Sequence, residues 1–229
     1  MSITTNQRES AAERVYRSVK ADILTGTLSG GQLLSEGEIA TALGVSRTPV
    51  REGFLRLETE GWLKLYPKRG ALVSAPDMHE AVHVCQSRYF VETGCIRAIT
   101  APTSDVRRRA DVVAELRASL ARQRDLVTAG DLAGFAAEDT HFHRTFVDAA
   151  DNPILSAFYE TLRERQQRMV ATSIGRPGSD VPAIIDCHSA LTEHLEAGDA
   201  DGFATTLANH LMTVHRIDLP GVTVPGVSQ

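Results

Sequence analysis

At 229 residues, 42% hydrophobic and 23% charged, the chain is long enough for two small domains of about 75 and about 140 residues. No apolar run approaches the roughly 20 residues needed to span a bilayer, and the first 20 residues are polar, so a soluble cytoplasmic protein without a signal peptide is expected. Cys85, Cys95 and Cys187 are odd in number and fit no CxxC pattern; they read as buried or semi-buried thiols in a reducing compartment rather than as a redox switch.

In chain order, the pattern predicts a first helix over about 10–26, with Val15, Val19 and Ile23 on one stripe, and a second from the N-cap Ser35 to Leu43. Gly44 then allows a tight turn, and Ser46 is placed to cap a third helix over about 46–60. Val50, Gly53, Phe54 and Leu57 follow the i, i+3, i+4, i+7 rule that buries one face of this helix. Arg47 and Arg51 stand one turn apart at its N-terminal end, where guanidinium groups suit guanine edges and phosphates. An ordinary amphipathic helix with a solvated arginine face would use the same residues. Two β-prone runs, 62–66 and 71–74, flank Pro67-Lys68-Arg69-Gly70 and predict a hairpin with a basic tip. Ala75-Pro76-Asp77 breaks the pattern and sets a domain boundary, 1–75 against 76–229. Residues 1–75 carry 10 Lys+Arg against 8 Asp+Glu, a net of +2, and the remainder 14 against 21, a net of −7. That modest asymmetry would present DNA with the N-terminal end, although unremarkable charge scatter gives the same numbers.

From residue 78 strand signals vanish. Helices are predicted at about 78–101, 104–129, 131–150, 153–175, 180–197 and 200–217, with a frayed tail after them. Asp139 and His143, four apart, put a carboxylate and an imidazole on one helix face, and His188 and His210 lie on the two following long helices. One Asp and three His from three helices are a donor set for a divalent metal, zinc or a similar first-row ion; an i, i+4 acid–His pair is also a common surface interaction. His141 lies about 200° round the helix from Asp139, and His194 about 120° from His188, so both face away from the ligand set. His79 and His83 form a rival i, i+4 pair, and His215 has no assigned role.

The run ILTGTLSGGQLLSEGEIATALGVSRTPVRE resembles the entry to the winged helix-turn-helix of the GntR family of bacterial regulators, and LETEGWLKLYPKRGALV resembles that family's wing. The likeness covers roughly residues 10–75 without a gap and implies DNA contacts from Ser46, Arg47, Thr48, Arg51, Lys68 and Arg69. Two positions depart from the pattern. Gly37 stands where the family carries a basic or long polar residue, so one backbone contact to DNA is expected to be missing. Gly53 replaces an alanine, at a cost of about 1 kcal/mol in helix propensity. Further on, EDTHFHRTFVDAADNPIL, CHSALTEHLEAGD and LANHL resemble the motifs of the FCD ligand-binding domain. Carried over residue by residue, that likeness implies metal ligands at Asp139, His143, His188 and His210, and a pocket arginine at Arg88. It also places His79, about 180° round the helix from Arg88, on the surface together with His83. With Glu92, Arg88 reads either as an i, i+4 ion pair or as a bidentate anchor for an effector carboxylate.

The expectation is a mainly α protein, a winged helix-turn-helix followed by an all-α FCD-type bundle, acting as a homodimeric DNA-binding regulator on a pseudo-palindromic operator. A small carboxylate effector held by the metal and Arg88 would control it, with repression the expected mode. The alternatives are a metal-dependent hydrolase-like domain fused to a DNA-binding module, and a regulator whose metal is purely structural. Against the hydrolase stand the lack of an H-E-x-x-H helix and of a spare carboxylate placed as general base.

Overall fold

The Ser10 hydroxyl accepts from Glu13 N at 3.1 Å and starts α1, Ala11–Leu24, in a computed structural model that describes residues 9–75 and 77–222. The chain divides into two compact units that part after Ala75. Pro76, on which the expected boundary falls, lies outside the described residues. In the first unit, β1 (Leu33–Leu34) leads to Ser35, which caps α2 (Glu36–Leu43), and Gly44 ends that helix at φ 64°. Next come α3 (Arg47–Thr59), β2 (Leu63–Tyr66) and β3 (Gly70–Val73). The hairpin pairs antiparallel from Leu63↔Val73 to Tyr66↔Gly70, and β1 adds to its other edge in the order β1-β3-β2. The sequence reading lacked β1, because two leucines between glycine-rich and polar residues are too short a run to show alternation. Gly70, at φ 96°, is obligatory, since a Cβ there would run into the Leu34 carbonyl.

Val15, Val19, Phe54, Leu57, Trp62 and Val73 meet in the core of this unit. Gly53 explains how tightly α1 and α3 pack. A Cβ on it would lie 2.9 Å from Val15 Cγ1, 3.1 Å from Tyr16 N and 3.2 Å from Ala12 O. The glycine that costs helix propensity thus admits the neighbouring backbone. Glu60 ties the pieces together, accepting from Tyr16 Oη (2.8 Å), Lys20 Nζ (2.7 Å) and Trp62 Nε1 (3.2 Å). Burial works to raise its pKa, but these donors outweigh it and hold the carboxyl below its ordinary value.

The second unit is helical throughout its described residues: α4 Met78–Thr100, α5 Val106–Ala129, α6 Leu132–Asp148, α7 Pro153–Glu160, α8 Arg163–Ile174, α9 Val181–Ala197 and α10 Ala200–His215. Asp77, Asp105, Asp131, Asn152, Asp180 and Asp199 cap six of the seven, each worth about 1 kcal/mol. Two expectations are corrected. The single helix over 153–175 is two, because Thr161 N and Leu162 N bond to the carbonyls three residues back and turn the chain while Tyr159 stays buried. No Gly or Pro marks that break in the sequence. The tail is not frayed from its start: Leu219 and Val222 join the core, and Gln86 Nε2 donates to Pro220 O at 2.6 Å. Residues 223–229 of that expected tail lie outside the described residues.

Candidate functional site

In the first unit, Arg47, Arg51, Lys68 and Arg69 line one concavity together with Glu36 and Gly37. Ser46, Arg47, Thr48, Arg51, Lys68 and Arg69 are all exposed. Ser46 sits at the N-cap of α3 as expected, but its hydroxyl makes no capping bond, and no acidic residue lies in the first turn. Backbone N–H groups and a hydroxyl are therefore left at a helix end that attracts anions. Arg51 Nε donates to Glu36 Oε2 at 2.8 Å, which leaves the outer edge of the guanidinium for another acceptor. Gly37 has a local role beside Arg47. A Cβ there would lie 3.3 Å from Arg47 Nη2, so the bare backbone makes room for that guanidinium. Lys68, exposed at the hairpin tip, holds φ 61°, a left-handed conformation.

The second site is buried. Asp139 and His143 on α6, His188 on α9 and His210 on α10 are each at most 2% exposed, and one ligand atom from each lies within 4.8 Å of the others. His188 Nε2 stands 3.4 Å from Asp139 Oδ1, and the imidazole rings of His143 and His188 are 5.0 Å apart. Two of the imidazoles are oriented from behind. His143 Nδ1 meets Glu92 Oε2 at 2.7 Å, and His188 Nδ1 meets Gln123 Oε1 at 2.8 Å while Phe142 stacks on its ring at 4.4 Å. Because both acceptors take the Nδ1 proton, each Nε2 is left as a lone-pair donor.

Four buried atoms have no hydrogen-bond partner among the described residues: Asp139 Oδ2, His143 Nε2, His188 Nε2 and His210 Nδ1. Buried polar atoms without partners are costly, and each of the four side chains that converge carries one. A divalent cation fits that set. Burial, with Arg88 and neighbouring imidazoles adding to it, holds His143, His188 and His210 well below the usual histidine range, so they are neutral, as ligation requires. Burial also raises Asp139 to about 7, with Arg88 pulling it back.

Arg88, 1% exposed, makes the expected i, i+4 ion pair. Its Nε pairs with Glu92 Oε1 at 3.1 Å, and its Nη2 has no partner among the described residues. Tyr159 Oη donates to the same Glu92 oxygen at 2.6 Å. Burial alone would favour loss of the Arg88 proton, but Glu92, Tyr159 and Asp139 reverse this and hold the charge. His141 is exposed and lies 3.5 Å from Glu115, His194 pairs with Asp199 at 2.9 Å, and His79 and His83 are exposed, so none of these joins the cluster. His215, unassigned from sequence, is buried with Nδ1 3.0 Å from Ser173 Oγ. The sequence reading missed Gln123, Tyr159, Gln166 and Ser173. Gln123 is 65 residues from the histidine it orients, and no local pattern links them. Cys85 and Cys95 are buried, with thiols pushed up to about 12 and about 11 by burial, and Cys187 is half-buried; all three are free.

Comparison with known proteins agrees with both halves. Residues 11–73 match the family described as "Bacterial regulatory proteins, gntR family", and residues 83–213 match the FCD domain. An HTH-type transcriptional regulator in an unstable DNA locus of Streptomyces ambofaciens is 30% identical over 92% of this chain and 84% of its own length. A probable D-xylose utilization operon transcriptional repressor of Paenarthrobacter nicotinovorans is 31% identical over 91% and 86%. Among solved structures, a GntR regulator from Rhodococcus sp. RHA1 superposes with a TM-score of 0.68 at 21% identity, covering 90% of this chain and 95% of that one, which shows a shared fold. Proteins of this kind are transcriptional regulators that bind DNA operators, not enzymes, and among the described residues no helix is long and apolar enough to cross a membrane. The chain belongs to the GntR family of bacterial regulatory proteins, with an FCD domain following its winged helix-turn-helix.

Proposed function

We propose that the protein is a cytoplasmic, homodimeric transcriptional repressor. Residues 1–75 bind a pseudo-palindromic operator, and residues 76–229 hold a divalent metal and a small carboxylate effector. FCD domains commonly bind metal, and the observation that carries the reading here is the set of four unpartnered ligand atoms within 4.8 Å. Asp139, His143, His188 and His210 would hold the ion, and their nitrogen and oxygen donors favour zinc or another first-row metal. When bound, the ion supplies a Lewis-acidic partner for a carboxylate oxygen. Arg88 Nη2 offers a charge-assisted donor to the same anion, while Glu92 keeps the guanidinium in place. On the DNA side, Arg47 and Arg51 read base edges, Lys68 and Arg69 meet the backbone from the wing, and Ser46 and Thr48 add hydroxyls at the α3 N-terminus. Repression is supported by relatives described as repressors, in Paenarthrobacter nicotinovorans and in Escherichia coli (RspR). The effector acts by binding the DNA-competent and DNA-incompetent states with different affinity.

Elemental analysis of protein purified without chelators, followed by operator band shifts with and without small carboxylates, tests this. About one ion per chain and a carboxylate-dependent change in operator affinity are expected. Protein without metal, or an operator affinity that no carboxylate alters, rejects the corresponding half of the reading.

A further inference from the structure

Four cations line the concavity of the first unit, Arg47, Arg51, Lys68 and Arg69, and one carboxylate lines it with them, Glu36. On a surface that meets phosphates this acid works against binding, since it offsets one of the four positive charges. Fold stability does not account for it. The side chains of Glu36 and Arg51 are 28% and 65% exposed, and ion pairs so open to water stabilise little. Its place in the first turn of α2 suits the positive end of that helix, but Glu38 serves the same turn.

What sets Glu36 apart is the atom that it holds. It accepts from Arg51 Nε at 2.8 Å, and Arg51 is the one of the four cations with an ion pair among the described residues. Its neighbours on α2 cannot take this part: the Ser35 hydroxyl accepts from Gly37 N at 3.3 Å to cap the helix, and Gly37 has no side chain. A guanidinium held by Nε keeps its Nη1–Nη2 edge, which can donate two parallel bonds to O6 and N7 of a guanine. Held in this way it is also kept off the phosphates. A loose guanidinium pairs with whichever phosphate is nearest, and that contact carries no sequence information. We propose that Glu36 is a specificity-determining positioning residue of the DNA interface, which lowers affinity for DNA of any sequence and sharpens base reading by Arg51. This rests on the reading of α3 as the recognition helix and names the residue that aims its arginine.

The test uses the full-length protein, a duplex that it selects from a random pool, and an unrelated duplex as the non-specific probe. The pair that Arg51 reads is the G·C pair at which Arg51→Ala loses discrimination. In the wild type, replacing that guanine weakens binding by about 5–150-fold, the span of a bidentate contact. Glu36→Ala lowers this ratio severalfold and makes 7-deazaguanine, which lacks the N7 acceptor, nearly equivalent to guanine there. On the unrelated duplex the same variant binds more tightly, and its log–log salt slope steepens by about one unit as Arg51 turns to a phosphate. In an Arg51→Ala background Glu36→Ala changes neither the ratio nor the slope, because the two residues act as one unit. Glu36→Gln keeps an oxygen without its charge, shifts both readouts in the same direction, and serves if the alanine variant folds poorly. Glu38→Ala removes an acid from the same helix end and keeps wild-type discrimination. Equal loss in Glu38→Ala assigns the effect to the end of α2 and overturns the proposal, as do wild-type discrimination and slope in a folded Glu36 variant; either result leaves Arg51 as a base reader. If Arg51→Ala loses discrimination at no base pair, the recognition-helix reading falls and takes this inference with it.

Discussion

Gln123→Leu isolates what the orienting residues contribute. Gln123 Oε1 accepts the Nδ1 proton of His188 at 2.8 Å, and both side chains are 0% exposed. Leucine has similar volume but no acceptor, so the buried N–H loses its hydrogen-bond partner and the imidazole is free to change tautomer. Loss of such an orienting contact typically weakens metal affinity by about 10–100-fold. At a metal concentration 100-fold above the wild-type Kd, binding stabilises the wild-type fold by about 2.7 kcal/mol, and a variant weakened by those factors retains only about 1.4 to 0.4 kcal/mol. Competition against a chromophoric chelator at pH 7.5 gives the affinity, and denaturant unfolding with and without metal gives the stabilisation. His188→Ala loses the metal, whereas His79→Ala and His194→Ala keep it. Wild-type affinity in Gln123→Leu would refute the orienting role; equal retention in all three alanine variants would refute the ligand set.

Arg47→Ala and Arg51→Ala each weaken operator binding by about 1–3 kcal/mol in a band-shift titration, and Lys68→Ala weakens specific and non-specific DNA alike while flattening the log–log salt slope by about one unit. Unchanged affinity in the first two would dismiss the recognition-helix assignment. Gly53→Ala, which propensity alone would make stabilising by about 1 kcal/mol, destabilises the protein instead, because overpacking costs about 1–3 kcal/mol and two of the three close atoms are α1 backbone; a raised midpoint in urea would show that α1 yields. Chelator-stripped protein loses stability as pH falls below about 6.5, the unfolded histidine value. His143, His188, His210 and His215 stay neutral when folded, so the unfolded state binds more protons in that window. Asp139 acts oppositely, its contribution being lost as pH rises from about 4 through its folded value of about 7, so metal binding near neutrality releases a proton from it. Urea midpoints flat from pH 7 to 5 would contradict the burial of neutral imidazoles.

The first unit was largely legible because its signals are local. The cap at Ser35, the αL glycine at 44 and the stripe through Val50, Phe54 and Leu57 each lie within one or two helical turns. The converging quartet was readable for a related reason: it contains one i, i+4 pair, and helical geometry with likeness to the FCD pattern set aside four of the five other histidines, His215 having no assigned role. What stayed hidden depends on side chains meeting across the bundle. Gln123 looks like any polar residue of α5 until His188 arrives opposite it, and Leu219 and Val222 look like tail until the core of the bundle takes them in. Gly53 illustrates the same limit with its sign reversed, since a helix scale counts its missing side chain only as a loss.

The polar centre draws on α4, α5, α6, α8, α9 and α10, and the first and last of its converging side chains, Asp139 and His210, are far apart in the chain. Such a centre is assembled by non-local contacts, so it forms late, after most loop-closure entropy has been spent. An ion held there stabilises the native state more than the folding transition state, and therefore slows unfolding more than it speeds folding. With each of the four side chains at most 2% exposed, exchange of such an ion would wait on opening of the bundle. A metal held there would then be a record of the ions present while the chain was folding, more than of those around it afterwards.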